Sequence, residues 1–257
     1  MPETLSIEGR AAFYENTGAF RDMVVTHLFQ VLSFVAMEPP VALDAESLLA
    51  EKLKVFRAMK PLDPEAMVRG QYQGYRDEPG VAPRSEMETF VALRVEIDNW
   101  RWAEVPFFLR TGKRLAEGRR VITVAFKEPP LRMFGRDGFA PNELVFEVGE
   151  PGGIELDFLA KTPGPTLGLG PARMRFDYGD SFCAALQLEA YERLIHDAMV
   201  GDGTLFTTGR GIERLWEVAA PVLADPLPVH VYPDGSWGPE EIDKLIAPRR
   251  WHLPDRR

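Results

Sequence analysis

The chain has 257 residues, 45% apolar and 27% charged, a balance that excludes a disordered chain and is enough to bury a sizeable core. Its formal charge of −9 argues against a nucleic-acid surface, which needs a clustered basic face, yet leaves room for a small anion held by a few local Lys or Arg. The single cysteine, Cys183, excludes an internal disulfide and a multi-cysteine metal site, and reads as a small buried hydrophobe.

The opening "MPETLSIEGR" is polar and lacks the apolar stretch of a signal peptide. The longest apolar run, near residues 28–37, is too short and interrupted to span a bilayer, so no membrane partner and a cytoplasmic location are expected. Residues 18–37 are apolar on most faces and predict a helix buried nearly all round, stopped by Pro39-Pro40. "DAESLLAEKLKVFRAMKP" predicts a second helix, with Asp44 as N-cap, Leu48, Lys52, Val55, Phe56 and Met59 at helical spacing, and Pro61 closing it.

From about residue 68 to 178 the period changes to two. "TFVALRVEID" puts Thr89, Val91, Leu93, Val95 and Ile97 on one face and Phe90, Ala92, Arg94, Glu96 and Asp98 on the other. "VPFFLR", "RVITVAF", "NELVFEV", "IELDFLA" and "ARMRFDY" are further strands between Gly/Pro-rich connectors. Strands with no helices between them favour an antiparallel sheet, and helical patterns return in "AALQLEAYERLIHDAMVGD" and "GIERLWEVAAPVLAD". The expectation is an α+β fold: one domain over residues 1–257, with a large, mostly antiparallel sheet and helices packed on one face.

No strand–GxGxxG–helix unit or GxxxxGK[ST] loop is present. "TLGLGP" and "GDGT" space their glycines differently and open no helix.

Two polar groups stand out. Asp22 and His27 sit in the first apolar helix, either as satisfied core residues or as functional groups. On an α-helix, five residues correspond to roughly 140° of rotation and about 7.5 Å of rise, so the two would not stack but would flank a ligand lying across the helix end. A neutral imidazole is the usual base for removing a hydroxyl proton, and a nearby carboxylate suits a polyol. The second group is Arg110, Lys113, Arg114, Arg119 and Arg120, around "RTGK", where glycine lets the backbone turn and the lysine project. It reads equally as an anion site or as a charged strand edge. The tryptophans read as core or interface aromatics, and His196 as structural. His230 and His252 have no metal spacing, and HExxH and GxSxG are absent.

The strings "EGRAAFYENTGAFRDMVVTHLFQVLSFVAMEPP", "EKLKVFRAM", "VRGQY", "ETFVAL", "VPFFLRTGKRL", "NELV", "EAYERLIHDAM", "GDGTLF" and "YPDGSWGPEE", together with the two prolines and phenylalanine of residues 129–134, occur in order from about residue 3. In that order they resemble the glucose-6-phosphate dehydrogenase family, specifically its C-terminal α+β substrate and dimerisation domain without the Rossmann-type coenzyme domain. The resemblance implies oxidation of C1 of D-glucose 6-phosphate to the lactone with NADP, as in the pentose phosphate pathway. It implies His27 as catalytic base and Asp22, Glu3 and Lys113 as sugar ligands. It also implies a homodimer formed through the sheet, for which an apolar outer face such as Val91, Leu93 and Val95 would serve. No cofactor-binding or metal-binding residue is implied here, and the carboxylate that orients the base belongs to the absent part.

Besides that missing part, two departures from the family pattern matter. The second basic ligand, five residues after the lysine, is replaced by Gly118, with Arg119 or Arg120 nearby as substitutes. Glu147-Val148-Gly149-Glu150 stands where a basic string is usual. By itself the chain is then expected to be inactive, with a separately encoded coenzyme domain as a possible partner. The competing reading is a non-catalytic paralogue serving as a sugar-phosphate-binding or scaffold module.

Overall fold

The computed structural model describes residues 1–131, 141–149, 152–182 and 190–252. The readings of Cys183 and Glu150, the phenylalanine of residue 134 and the first residues of the "AALQLEA" helix lie outside them. The chain divides into two compact units, Met1–Gly118 with Glu189–Leu253, and Arg119–Leu188 with Pro254–Arg257.

The first unit is built on a continuous helical run, α1 (Ala11–Ala19), a π-helical segment (Phe20–Leu28) and α2 (Phe29–Ala36). It starts seven residues earlier than the apolar pattern predicts, because Ala11 and Tyr14 already pack into a core. It is not buried all round. The run is long and apolar enough to cross a membrane by length and composition, but half of its most apolar window is buried in protein. α3 (Ala45–Ala58) follows as predicted. Asp44 accepts the Ser47 N–H at 2.8 Å, and Leu48, Lys52, Val55, Phe56 and Met59 are buried.

The first sheet has the order β3 (Pro106–Gly112), β2 (Phe90–Glu96), β1 (Met67–Tyr72), β8 (Val229–Tyr232). The first three strands are antiparallel, and β8, which the alternation does not reveal, lies parallel to β1. Both faces are covered. Val91, Leu93, Val95 and Ile97 join Phe29, Leu32 and Phe56 of the helices and Leu215 and Val218 of α6 (Gly209–Ala224) in one core. Phe90 and Ala92 join Ile7, Tyr14, Tyr72, Tyr232 and Ile242 of α7 (Glu241–Ile246) in another. The expectation that Val91, Leu93 and Val95 form an outer face is therefore corrected: each is at most 1% exposed beneath helices. α5 (Ala190–Val200) completes this unit.

The second unit is an antiparallel meander, β4 (Val121–Ala125), β5 (Glu143–Glu147), β6 (Gly153–Lys161) and β7 (Leu169–Asp177), followed by the short α4 (Tyr178–Ser181). The α+β class holds, with the strands in two four-stranded sheets rather than one large sheet. Register aligns Ile122, Phe146, Ile154 and Phe176 in one row and Val124, Leu144, Leu156 and Met174 in the next. All eight share a face and stay at least partly exposed. The opposite face carries ion pairs, Arg119 with Glu147 and Arg173 with both Glu155 and Asp157.

Candidate active site

Gly18 interrupts the long helix. Its φ of +65° is disfavoured for residues with a side chain, and an added Cβ would lie 2.3 Å from Glu88 Oε1. The next amides are capped from outside the helix. Ala19 N–H donates to the Glu88 carbonyl at 3.0 Å, and Phe20 N–H donates to Glu88 Oε1 at 3.1 Å. Beyond this break the backbone runs as a π-helix, seen in the Phe29 N–H to Val24 carbonyl bond and in Thr26 Oγ1 reaching the Arg21 carbonyl at 3.0 Å.

This register changes the relation of the two predicted groups. With i→i+5 bonding each turn takes more residues than in an α-helix, so residues five apart are closer in angle and Asp22 and His27 come toward the same side of the helix. The α-helical expectation of a wide angular separation is corrected. Asp22 is half-buried and His27 exposed, and the imidazole has no hydrogen-bond partner among the described residues.

Glu3 is pinned beside the end of β3 by its main chain. Its N–H donates to the Gly112 carbonyl at 2.8 Å, and its carbonyl accepts the Leu115 N–H at 2.9 Å. This places its carboxylate on the Lys113 ammonium, which is almost fully buried. The Lys113 backbone is locked as well: its N–H donates to the Thr89 carbonyl at 2.9 Å, and its carbonyl accepts the Tyr232 hydroxyl at 2.7 Å. Gly112 has a role other than the predicted turn. It lies within β3 without a positive φ, and the Phe90 ring occupies the space of its missing Cβ, 2.6 Å away.

Tyr14 ties these groups together. Its ring lies 6.0 Å from Lys113 Nζ. Burial pushes its phenol far above the ordinary range, and the negative charges of Asp22 and Glu3 push it further. The Glu3–Lys113 pair therefore lies beside the Tyr14 ring, and the charge of Asp22, distant in sequence, acts on the same phenol.

The basic run does not act as an island. Arg114 pairs with Asp234 and stacks 4.9 Å from the Tyr72 ring centroid. Arg110 lies 5.2 Å from the ring centroids of both Trp237 and Trp251. Arg119 belongs to the second unit and forks onto Glu147 at 3.1 and 3.2 Å. Gly118 has open space where a side chain would start. A concavity of about 440 Å³ lined by Lys60, Arg94, Glu96, Trp102 and Phe108 shares no residue with the cluster.

Sequence reasoning passes over Tyr14, Glu88 and Arg69. The one local signal was Gly18, a glycine inside an apolar helical pattern.

The family model "Glucose-6-phosphate dehydrogenase, C-terminal domain" matches residues 1–252. The chain is 41% identical over 258 residues to glucose-6-phosphate 1-dehydrogenase 1 of Mycobacterium tuberculosis, covering 99% of this chain and 54% of that protein. It is 42% identical over 274 residues to the enzyme of Mycolicibacterium smegmatis, covering 97% and 54%. The crystal structure of the Mycobacterium avium glucose-6-phosphate 1-dehydrogenase superposes with a TM-score of 0.88 at 41% identity, covering 99% of this chain and 55% of that one. A glucose-6-phosphate dehydrogenase in complex with its substrate glucose-6-phosphate superposes with a TM-score of 0.90 at 32% identity, covering 98% and 54%. The chain spans about half the length of the relatives it matches, and it belongs to the glucose-6-phosphate dehydrogenase C-terminal domain family.

Proposed function

We propose that this chain is the substrate-binding part of a glucose-6-phosphate 1-dehydrogenase, which oxidises C1 of D-glucose 6-phosphate to the lactone with NADP as acceptor. The observation that carries the reading is the Glu3–Lys113 pair beside the Tyr14 ring, whose phenol also feels the Asp22 charge, with Asp22 and His27 in one π-helical segment. The substrate complex of a structural neighbour supports the choice of sugar phosphate.

In this reading the Asp22 and Glu3 carboxylates accept hydrogen bonds from sugar hydroxyls. The Lys113 ammonium, held by Glu3, donates to a sugar oxygen and orients the ring. The exposed His27 imidazole removes the C1 hydroxyl proton. Arg119, proposed as a further substrate ligand, is held by Glu147 within its own unit.

NADP brings the hydride acceptor when bound, but the described residues do not fit a dinucleotide. Gly168 precedes and Gly170 lies within strand β7, and Gly201 and Gly203 follow α5, so neither pair opens a helix. No step is therefore routed through the coenzyme on these residues. The proposal assigns it to a coenzyme domain, joined or separately encoded.

Self-association through the second sheet is part of the proposal. The two apolar rows from Ile122 to Phe176 and from Val124 to Met174 are the support, since a half-exposed apolar sheet face pairs readily with its own copy. The cytoplasmic setting and the pentose phosphate pathway are retained with it.

The test is calorimetric titration of glucose 6-phosphate into the chain, followed by an NADPH assay with and without a coenzyme domain. Binding that Lys113→Ala abolishes, with turnover only when the second domain is present, supports the reading. Absence of binding favours the scaffold alternative.

A further inference from the structure

Glu88 and Arg69 play no part in the chemistry just described, yet they lie at the root of the helix that carries it. Both side chains are almost fully buried, at 5% and 9% exposure. Each Glu88 carboxylate oxygen has a separate task. Oε1 accepts the Phe20 N–H, while Oε2 accepts Arg69 Nη2 at 2.6 Å and Nε at 3.2 Å. The Glu88 carbonyl takes the Ala19 N–H. Arg69 is anchored in turn, donating to the Glu86 carbonyl at 3.0 Å and to the Leu227 carbonyl. The carboxylate also occupies the space that a side chain at Gly18 would fill.

These contacts converge where the backbone leaves α1 and enters the π register. A π turn is rarely chosen by a helix on its own, so something must hold the first amides in place. The first N–H groups of any helix need acceptors, and here Glu88 supplies two of them, through its main chain and its side chain. A bare carboxylate at 5% exposure would be costly without the Arg69 fork beside it.

We infer that Arg69 and Glu88 are positioning residues for sugar-phosphate oxidation: together they set the π register that brings Asp22 and His27 toward the same side of the helix. The inference rests on the function proposed above, and its test separates the two. Glutamine at 88 offers one oxygen where two are in use, so it cannot serve both Phe20 and Arg69. Arg69→Gln removes the fork and leaves the cap unsupported.

The experiment uses the full chain with Glu88→Gln, Arg69→Gln, the double variant and Val222→Ala, a buried trim in α6 that serves as a stability control. Three quantities are read: the unfolding midpoint, the Kd for glucose 6-phosphate, and the imidazole shifts and titration midpoint of His27, assigned by comparison with His27→Asn. Glu88→Gln and Arg69→Gln should each weaken binding about tenfold and displace the His27 resonances. The double variant should be no worse than the more affected single one, because the arginine acts through the carboxylate. Val222→Ala should lower the midpoint alone. Arg69→Lys, which keeps the charge but not the fork, should recover part of the loss, and it decides by the same readouts if Glu88→Gln does not fold. A Glu88→Gln protein that is only less stable, with wild-type Kd and wild-type His27 titration, overturns the inference. If the unmodified chain does not bind glucose 6-phosphate, the proposed substrate falls, and the His27 resonances alone then decide the positioning role.

Discussion

Lys113 and Glu3 form an ion pair across 110 residues of sequence, with the lysine side chain at 6% exposure and the glutamate at 30%. The asymmetry decides which partner suffers more when the pair is broken. Glu3→Ala strands a buried ammonium, whereas Lys113→Ala leaves a carboxylate that reaches water. Glu3→Ala is expected to cost up to about 3 kcal/mol in urea denaturation, and Lys113→Ala clearly less. Both should weaken glucose 6-phosphate binding at least tenfold by calorimetry. Equal destabilisation by the two variants would contradict this account of the pair.

His27 is exposed and packs in neither core. His27→Asn should change stability by no more than about 0.5 kcal/mol, as surface substitutions do. With a coenzyme domain supplied, it should lower NADPH formation by roughly 10²- to 10⁴-fold, the range of a lost general base. Binding of glucose 6-phosphate should persist, since the carboxylates and the ammonium remain.

Gly118 stands where the family resemblance expects a basic ligand. A side chain there meets no atom within 4 Å, and the backbone does not require glycine. Gly118→Lys is therefore expected to fold with unchanged stability and to tighten glucose 6-phosphate binding several-fold, read in the same titration. A variant that folds but binds no better would show that this position no longer faces the substrate.

Tyr14 makes a pH prediction. Burial first, then Asp22 and Glu3, raise its folded-state pKa above the unfolded value. The unfolded chain therefore loses this proton first. The stabilisation is fully present below about pH 10, the unfolded value, and declines as pH rises beyond it. Tyr14→Phe should move the alkaline unfolding midpoint upward, measured by circular dichroism between pH 9 and 12. An unchanged midpoint would mean that the other buried tyrosines dominate.

The second sheet gives the last prediction. Ile154 lies in the middle of the row Ile122, Phe146, Ile154 and Phe176. If that face joins two copies, Ile154→Asp should convert a dimer to a monomer in sedimentation or light scattering. Val91→Asp, in contrast, should abolish folding, because Val91 is fully buried in the first unit. A dimer that survives Ile154→Asp would place self-association elsewhere.

Much of this was legible in the chain. Asp44 at the head of α3, the alternation through β2 and the five later strand patterns follow from local rules that reach only a few residues. Gly18, read in the sequence as the start of a helix, instead interrupts a longer helical run. The short strand β8 was not legible, since a four-residue edge has too little period to read and owes its place to pairing with β1.

The site shows the same division. Residue chemistry and order along the chain determined which groups stand out: a histidine and an aspartate five apart, a lysine after a threonine and glycine, and a glutamate near residue 1. Tertiary structure alone decided how they meet. Sequence spacing assumes an α-helical turn, but the Glu88 carboxylate, held by Arg69 of β1, caps a π-helical turn that brings Asp22 and His27 toward one side. Adjacent cations in the basic run likewise part company, because Lys113 and Arg114 follow the end of β3 in a bend, with Arg114 at a φ of +48°, and each finds its own partner. Long-range hydrogen bonds of this kind leave no periodic trace, so only the fold reveals them.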